Sequence, residues 1–561
     1  MADHIEAARS SRLAQPSVPT NMDDKHVGTE FYGSPLLWLP CELLVHAASY
    51  LSSEDLFNLR LTCRRVETFL YDTFSEEFFS DRRFMVTQWR FLSHTGADSD
   101  TANRRWHNLD SLECLVNISK HPHLSKSVSK LTIGLDRLYS SDALAGHGGR
   151  NRNIDNFPVK DGINPYKLQD LAAEQSWLIS SGQLQLFLGE ALDNLPNVTE
   201  LGIRDVNVAR GFCRPGSNKL FVSYGVAEIR RQTGVDLLDD NSHLHLQDQF
   251  ADIIFTAALL AVVRTGKRLD RITVDIQKRE TGLSSTAFHT PSSLIEPLRF
   301  TLQNLRSLDL SVSFTYVSLG NYSNGSLAFL PWQPHYLFKL LEYTPNLVRL
   351  RVVSKGDSFL KDEIIGWLAQ LVDSSNGVHV ENFRPHCSLH TGLNHLTLAQ
   401  RYQTLQHLEL ENMLAPATSL SKVLLHLTGS LRTLCLSMVG VSISQDDDEL
   451  DNNPQSPNAW SSIFREMSKS VSLQNLHISS LGHHIPSRLA NDNRHQVAFL
   501  NSGFGVQSGP RNGLLTTWSH EGSAPSMKNF LLEIAEKTVI ICTSCKQRNS
   551  GYWSFEDIFQ E

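Results

Sequence analysis

Between Leu36 and Leu70 apolar residues recur at helical spacing in two short stretches. Leu43, Leu44, Ala47, Ala48 and Leu51 share one helical face, and Leu56, Leu59, Cys63, Val66 and Leu70 share another. Pro40 suits a first helical position, where its missing N–H would be unpaired anyway, and Glu42 follows in the first turn, where the helix dipole favours an anion. Ser52 or Ser53 can cap the second helix, with Glu54 and Asp55 in its first turn. Leu36, Leu37 and Trp38 add three large apolar residues just before the first helix. So small a hairpin exposes more apolar surface than it can bury against itself, so the pattern predicts a protein partner.

A second pattern runs through the rest of the chain. An aliphatic residue, two residues, an aliphatic, one residue and an aliphatic begin at Val128, Val198, Leu269, Leu305, Leu347, Leu393, Leu405, Leu431 and Leu473. Helical runs precede several of these, as in residues 184–203, 292–310, 336–352 and 419–438. One helix and one short strand cannot bury both apolar faces, so copies are expected to stack into a parallel strand layer lined by helices. The alternative is an α/β domain with scattered helix–strand units. The twelve residues between Leu393 and Leu405 leave little room for a helix, so one of those two is read as a chance match. The predicted division is a disordered arm over 1–33, a helical hairpin over 34–80, a helical linker over 81–127, an array over 128–481 and a closing cap or tail over 482–561. Loop insertions are expected at about 140–165 and 444–458, and a closing helix and strand from Met527 onward.

The hairpin resembles the F-box family. The pattern is carried by Leu39-Pro40, Glu42, Leu43-Leu44, Leu51, Asp55-Leu56, Leu59-Arg60-Leu61 and Cys63-Arg64. Ala47 stands where the family prefers a larger aliphatic, and Val66 where an aromatic is common. The downstream units resemble a leucine-rich-repeat solenoid of irregular spacing. Val206, Met413, Val439 and Leu481 occupy the positions where such repeats carry asparagine. The fold expected is therefore mixed α/β, an F-box hairpin followed by an irregular helix/strand solenoid. The resemblance implies a Skp-family adaptor as partner and, through it, a cullin-RING ubiquitin ligase, with an unidentified protein target on the repeats. It also implies that the adaptor contact and the hairpin core divide Leu36, Leu37, Leu39, Pro40, Leu43, Leu44, Leu51, Leu56, Leu59 and Cys63 between them.

Composition changes this picture little. The chain of 561 residues is 41% hydrophobic and 20% charged, with a formal charge of -8 and no basic block, which argues against a dedicated nucleic-acid binder. The first ten residues show no secretory pattern, and the longest apolar run, Phe250 to Val263, contains Asp252, so neither export nor a membrane span is expected. Eight scattered cysteines give no disulfide framework and point to a reducing compartment, cytoplasmic or nuclear.

Catalytic motifs are missing: no phosphate-binding glycine loop with lysine, no HExxH and no GxSxG. Cys542 and Cys545 form a CxxC, which would need further ligands to hold zinc or a strand–helix setting for redox work. His121/His123 and His243/His245 are spaced to point one way from a strand, with surface histidines as the alternative. The expectation is a non-catalytic receptor subunit without a cofactor. Strand alternation puts Arg271, Arg349, Arg351, His407, Glu409 and Glu411 on the concave face, where grouped arginines would pair with acidic or phosphorylated targets.

Overall fold

The computed structural model describes residues 39–86, 111–138, 164–205, 249–277, 281–313, 335–355, 404–442, 458–469, 472–484, 494–500 and 514–541, with short pieces within 223–237 and 360–369 and at 552–553. These fall into two bodies that divide between Phe74 and Ser75.

The first body is helical. Helix α1 covers Cys41–Ala48. Pro40 sits one residue before it, as the cap rather than the first helical residue, with its carbonyl accepting from the Leu43 and Leu44 amides. Helix α2 spans Ser53–Arg60, capped by Ser52, whose Oγ accepts from the Asp55 amide at 3.1 Å. The second apolar stretch is not one helix. It breaks at Leu61–Cys63, where the Leu61 and Thr62 amides bond back to Asn58 and Leu59, and Thr62 Oγ1 donates to the Leu59 carbonyl at 2.7 Å. Helix α3 then runs Arg64–Phe79 and crosses the boundary between the bodies. Leu44, Ala48, Leu56, Val66, Leu70 and Phe74 are buried.

The second body is mixed α/β around a ten-stranded sheet. Its strands are β1 (Asp81–Met85), β2 (Lys130–Gly134), β3 (Glu200–Arg204), β4 (Arg271–Asp275), β5 (Ser307–Val312), β6 (Arg349–Ser354), β8 (His407–Glu411), β10 (Thr433–Ser437), β12 (Asn475–Ser479) and β16 (Thr517–Glu521). They lie side by side in chain order, all parallel except the last pair, β12 with β16. Eight of the nine aliphatic patterns lead into one of these strands, while the pattern at Leu393 lies outside the described residues. The strand β1 corrects the expectation that 81–127 is only a helical linker. Helices Ser111–Lys120 and Leu124–Ser127 are there, but Asp81–Met85 pairs in register with β2.

Side-chain alternation sorts the two faces of the sheet. On one, Leu131, Ile203, Val274, Leu310, Val352, Leu410, Leu436 and Ile478 pack with helical residues such as Leu188, Phe255, Leu424 and Phe464 in one continuous core. Truncating any such leucine to alanine would cost about 2–5 kcal/mol. The other face carries one straight row: Arg83, Thr132, Gly202, Thr273, Asp309, Arg351, Glu409, Cys435, His477 and Ser519 are successive register partners. At the β1 end this row is covered. Helices Pro165–Ser180 and Val226–Thr233 form a second small core over Met85 and Leu138. There Gln175 Nε2 donates to the Val86 and Asp136 carbonyls, and Arg83 pairs with Asp136 at 3.0 Å.

A second sheet runs β7 (Leu360–Lys361), β9 (Met413–Pro416), β11 (Gly440–Ser442) and β13 (Gly482–His484) in parallel, then the antiparallel β14 (Arg494–Leu500), which also pairs with β15 (Leu514–Leu515) and with β17 (Thr538–Ile541); β17 carries β18 (Tyr552–Trp553). Single residues of positive φ link the two sheets: Asn412, Met438 and Ser480, at 57°, 52° and 51°. Their amides bond to the Ser437, Ser479 and Thr516 carbonyls, a backbone ladder at each corner. Met413, Val439 and Leu481, which stand at the positions where such repeats carry asparagine, are buried instead, and Val206 lies outside the described residues.

The chain closes on helix Ala524–Lys537 and β17, as the pattern from Met527 predicts. Asn458 Nδ2 donates to the Thr538 carbonyl and Ser461 Oγ to that of Ala535, which ties the closing helix to helix Ala459–Met467. Among the described residues no helix is long and apolar enough to cross a membrane.

Candidate functional site

Two surfaces are candidates, one in each body. In the helical body α1 splits its apolar face: Leu44 and Ala48 turn inward, while Leu43 (54% exposed), Ala47 and Leu51 stay at the surface. Tyr50 (76%), Phe57 and Leu61 extend that exposed set. Of the residues singled out from sequence, Leu44 and Leu56 are buried, Leu39, Leu59 and Cys63 are half-buried, and Pro40, Leu43 and Leu51 are exposed. Leu36 and Leu37 lie outside the described residues. Tyr50 and Phe57 were missed, although both flank leucines that the spacing had marked, and Leu61 was named in the motif but not as a contact.

Arg60 packs on two aromatic rings of the same body. Its guanidinium carbon stands 3.8 Å from the centre of the Phe74 ring and 5.8 Å from that of Phe57, with the two rings 6.2 Å apart.

The second surface is the charged stretch of the register row. Arg351 donates from Nε to Glu409 Oε1 at 2.9 Å, from Nη1 to Asp309 Oδ1 at 2.9 Å and from Nη2 to Glu411 Oε2 at 3.2 Å. Its side chain is 8% exposed. Arg349 Nη2 reaches Glu409 Oε2 at a looser 3.4 Å. Burial raises the Asp309 carboxyl to about 6 against the pull of Arg351, and neighbouring Asp275 adds to the rise. Burial also raises Glu411, again opposed by Arg351, and lowers His477. Burial works against the Arg351 charge, but the surrounding carboxylates outweigh it and hold the proton more tightly than usual.

This geometry corrects the expectation for the arginines. Arg351 is buried and spends its hydrogen bonds on Glu409, Asp309 and Glu411, so it is not an open anchor for a phosphate. Arg271, half exposed and 3.4 Å from Glu200, and Arg349, at 36% exposure, reach the surface, and His407 is half-buried.

His121 Nδ1 accepts from the His123 and Leu124 amides and so turns the chain into a helix. His243, His245, Cys542 and Cys545 lie outside the described residues. Cys435 is disulfide-bonded, against the expectation of no disulfide framework. Among the described residues no group of three or more His, Cys, Asp or Glu is placed to hold a metal ion.

A protein-family model described as F-box-like matches residues 36–75. The chain carries an F-box-like domain. The match covers α1, α2 and most of α3, the same segment that exposes Leu43, Tyr50, Leu51, Phe57 and Leu61. An F-box-like domain suggests a protein-interaction role, and such domains generally bind Skp-type adaptors. No curated protein matches the chain.

Proposed function

We propose that this chain is the substrate-recognition subunit of a Skp-cullin-F-box ubiquitin ligase, docking on the adaptor through the F-box-like domain and holding a target on an irregular leucine-rich-repeat-like solenoid. The observation that carries the reading is the exposed apolar set on α1 and α2 inside the matched segment. Large apolar side chains gathered at a surface mark a protein contact. Parallel strands in chain order, each aliphatic face backed by helices, support the repeat reading.

On this reading the chain makes and breaks no bonds. It holds target lysines near a charged thioester, and proximity alone raises the effective concentration of the reacting groups. The test is co-purification with a Skp-family adaptor. Leu43→Asp with Leu51→Asp, both at exposed positions, should abolish recovery of the adaptor while the chain keeps its melting temperature. Full recovery would end the adaptor reading. If the adaptor binds, a target captured with the proteasome blocked should rise in abundance when residues 34–80 are deleted; a target indifferent to both would make the chain a scaffold instead.

A further inference from the structure

Arg60 is the last residue of α2, one turn after the exposed Phe57, and its guanidinium lies on the ring of the buried Phe74 from α3. Its Nε is buried with no hydrogen-bond acceptor. A cation over an aromatic face gains from the ring quadrupole, and an N–H directed at a ring recovers part of a missing hydrogen bond. Phe57, 40% exposed, stands 5.8 Å from the same guanidinium and 6.2 Å from the Phe74 ring. A surface phenylalanine on a short helix would otherwise sample several rotamers, and each immobilised on binding costs affinity.

We propose that Arg60 is a positioning residue for adaptor binding: its guanidinium, seated on Phe74, gives the Phe57 ring a fixed wall to pack against, so that the ring is presented already ordered beside Leu61. This rests on the adaptor reading above. Arg60 acts through Phe57, without itself having to touch the partner. Removing that wall should therefore weaken binding only while Phe57 is present.

The experiment is a double-mutant cycle in the full chain, read as the dissociation constant for a purified Skp-family adaptor. Arg60→Met, which keeps the length and loses the cation, should weaken binding about tenfold in the native background and less than about twofold in the Phe57→Ala background. Arg60→Lys, which restores a cation over the rings, should recover most of the loss. Should Arg60→Met not fold, Arg60→Gln takes its place in the same cycle. Equal losses in both backgrounds, or no loss in either, overturn the positioning role. A native chain that binds no adaptor at all overturns the adaptor reading, and the positioning role with it.

Discussion

Arg351 on β6 and Glu409 on β8 are register partners, and they meet side to side through Nε and Oε1 at 2.9 Å with both groups about nine-tenths buried. Asp309 from β5 and Glu411 from β8 complete the shell, so one guanidinium joins three adjacent strands. A buried ion cluster is weak evidence of net stability, but removing its cation leaves several carboxylates out of water with nothing opposite. Arg351→Met is therefore expected to destabilise the second body by about 3–5 kcal/mol. A denaturant unfolding curve checks this; a midpoint equal to that of the native chain would mean that the cluster is solvated.

The same cluster sets a pH dependence. Folded Asp309 keeps its proton up to about pH 6, whereas an unfolded aspartate releases it near about 3.9. Between those values the folded chain holds more protons, so the contribution of Asp309 is full below the unfolded value and is lost as pH rises through the folded one. Glu411, also raised by burial, acts in the same direction. Asp309→Asn keeps an acceptor for Arg351 and removes the titration. Its melting temperature should vary less between about pH 4 and pH 6 than that of the native chain, and an unchanged slope would assign the effect elsewhere.

Much of this architecture was legible from the aliphatic spacing, because each strand turns its second and fourth residues to the helices and those must be apolar. Strand β1 escaped notice because Asp81-Arg82-Arg83 opens it. Arg83 is tolerated in the interior only because Asp136, 53 residues away, neutralises it. Arg351 was misread for the same reason: its partners lie 42, 58 and 60 residues off, and no local pattern announces them. The break at Leu61–Cys63 was hidden because apolar residues keep their spacing across a single turn. Helix Pro165–Ser180 did carry a signal that went unused, Asn164 before Pro165, and Asn164 Oδ1 indeed accepts from the Lys167 amide.

The corner residues test whether the strand-to-strand turn is locally strained. Met438 holds φ at 52°, a region that costs an ordinary side chain about 1–2 kcal/mol. A β-branched residue fits worse still, while glycine enters freely but loses more entropy on folding. Met438→Val should lower stability by about 1–2 kcal/mol, and Met438→Gly should stay within about 1 kcal/mol of native. Thermal unfolding of the pair decides it: a valine variant as stable as native would mean that the corner relaxes out of the left-handed region.

Target binding by the strand face separates the two classes of arginine. Arg271 and Arg349 reach the surface and make only loose ion pairs, at 3.4 Å each, so reversing them disturbs little of the fold. The solvent-facing Arg271–Glu200 pair is worth about 0–1 kcal/mol, and Glu409 keeps its closer bond from Arg351 when Arg349 is changed. Once a target has been captured, Arg271→Glu with Arg349→Glu should lower its affinity at least tenfold, with the melting temperature within a few degrees of native and adaptor binding unchanged. Arg351→Glu is expected to lose the target too, but through unfolding, with a large fall in melting temperature. If the double reversal leaves target affinity intact, the target sits on another surface, and the register row serves only to hold neighbouring strands together.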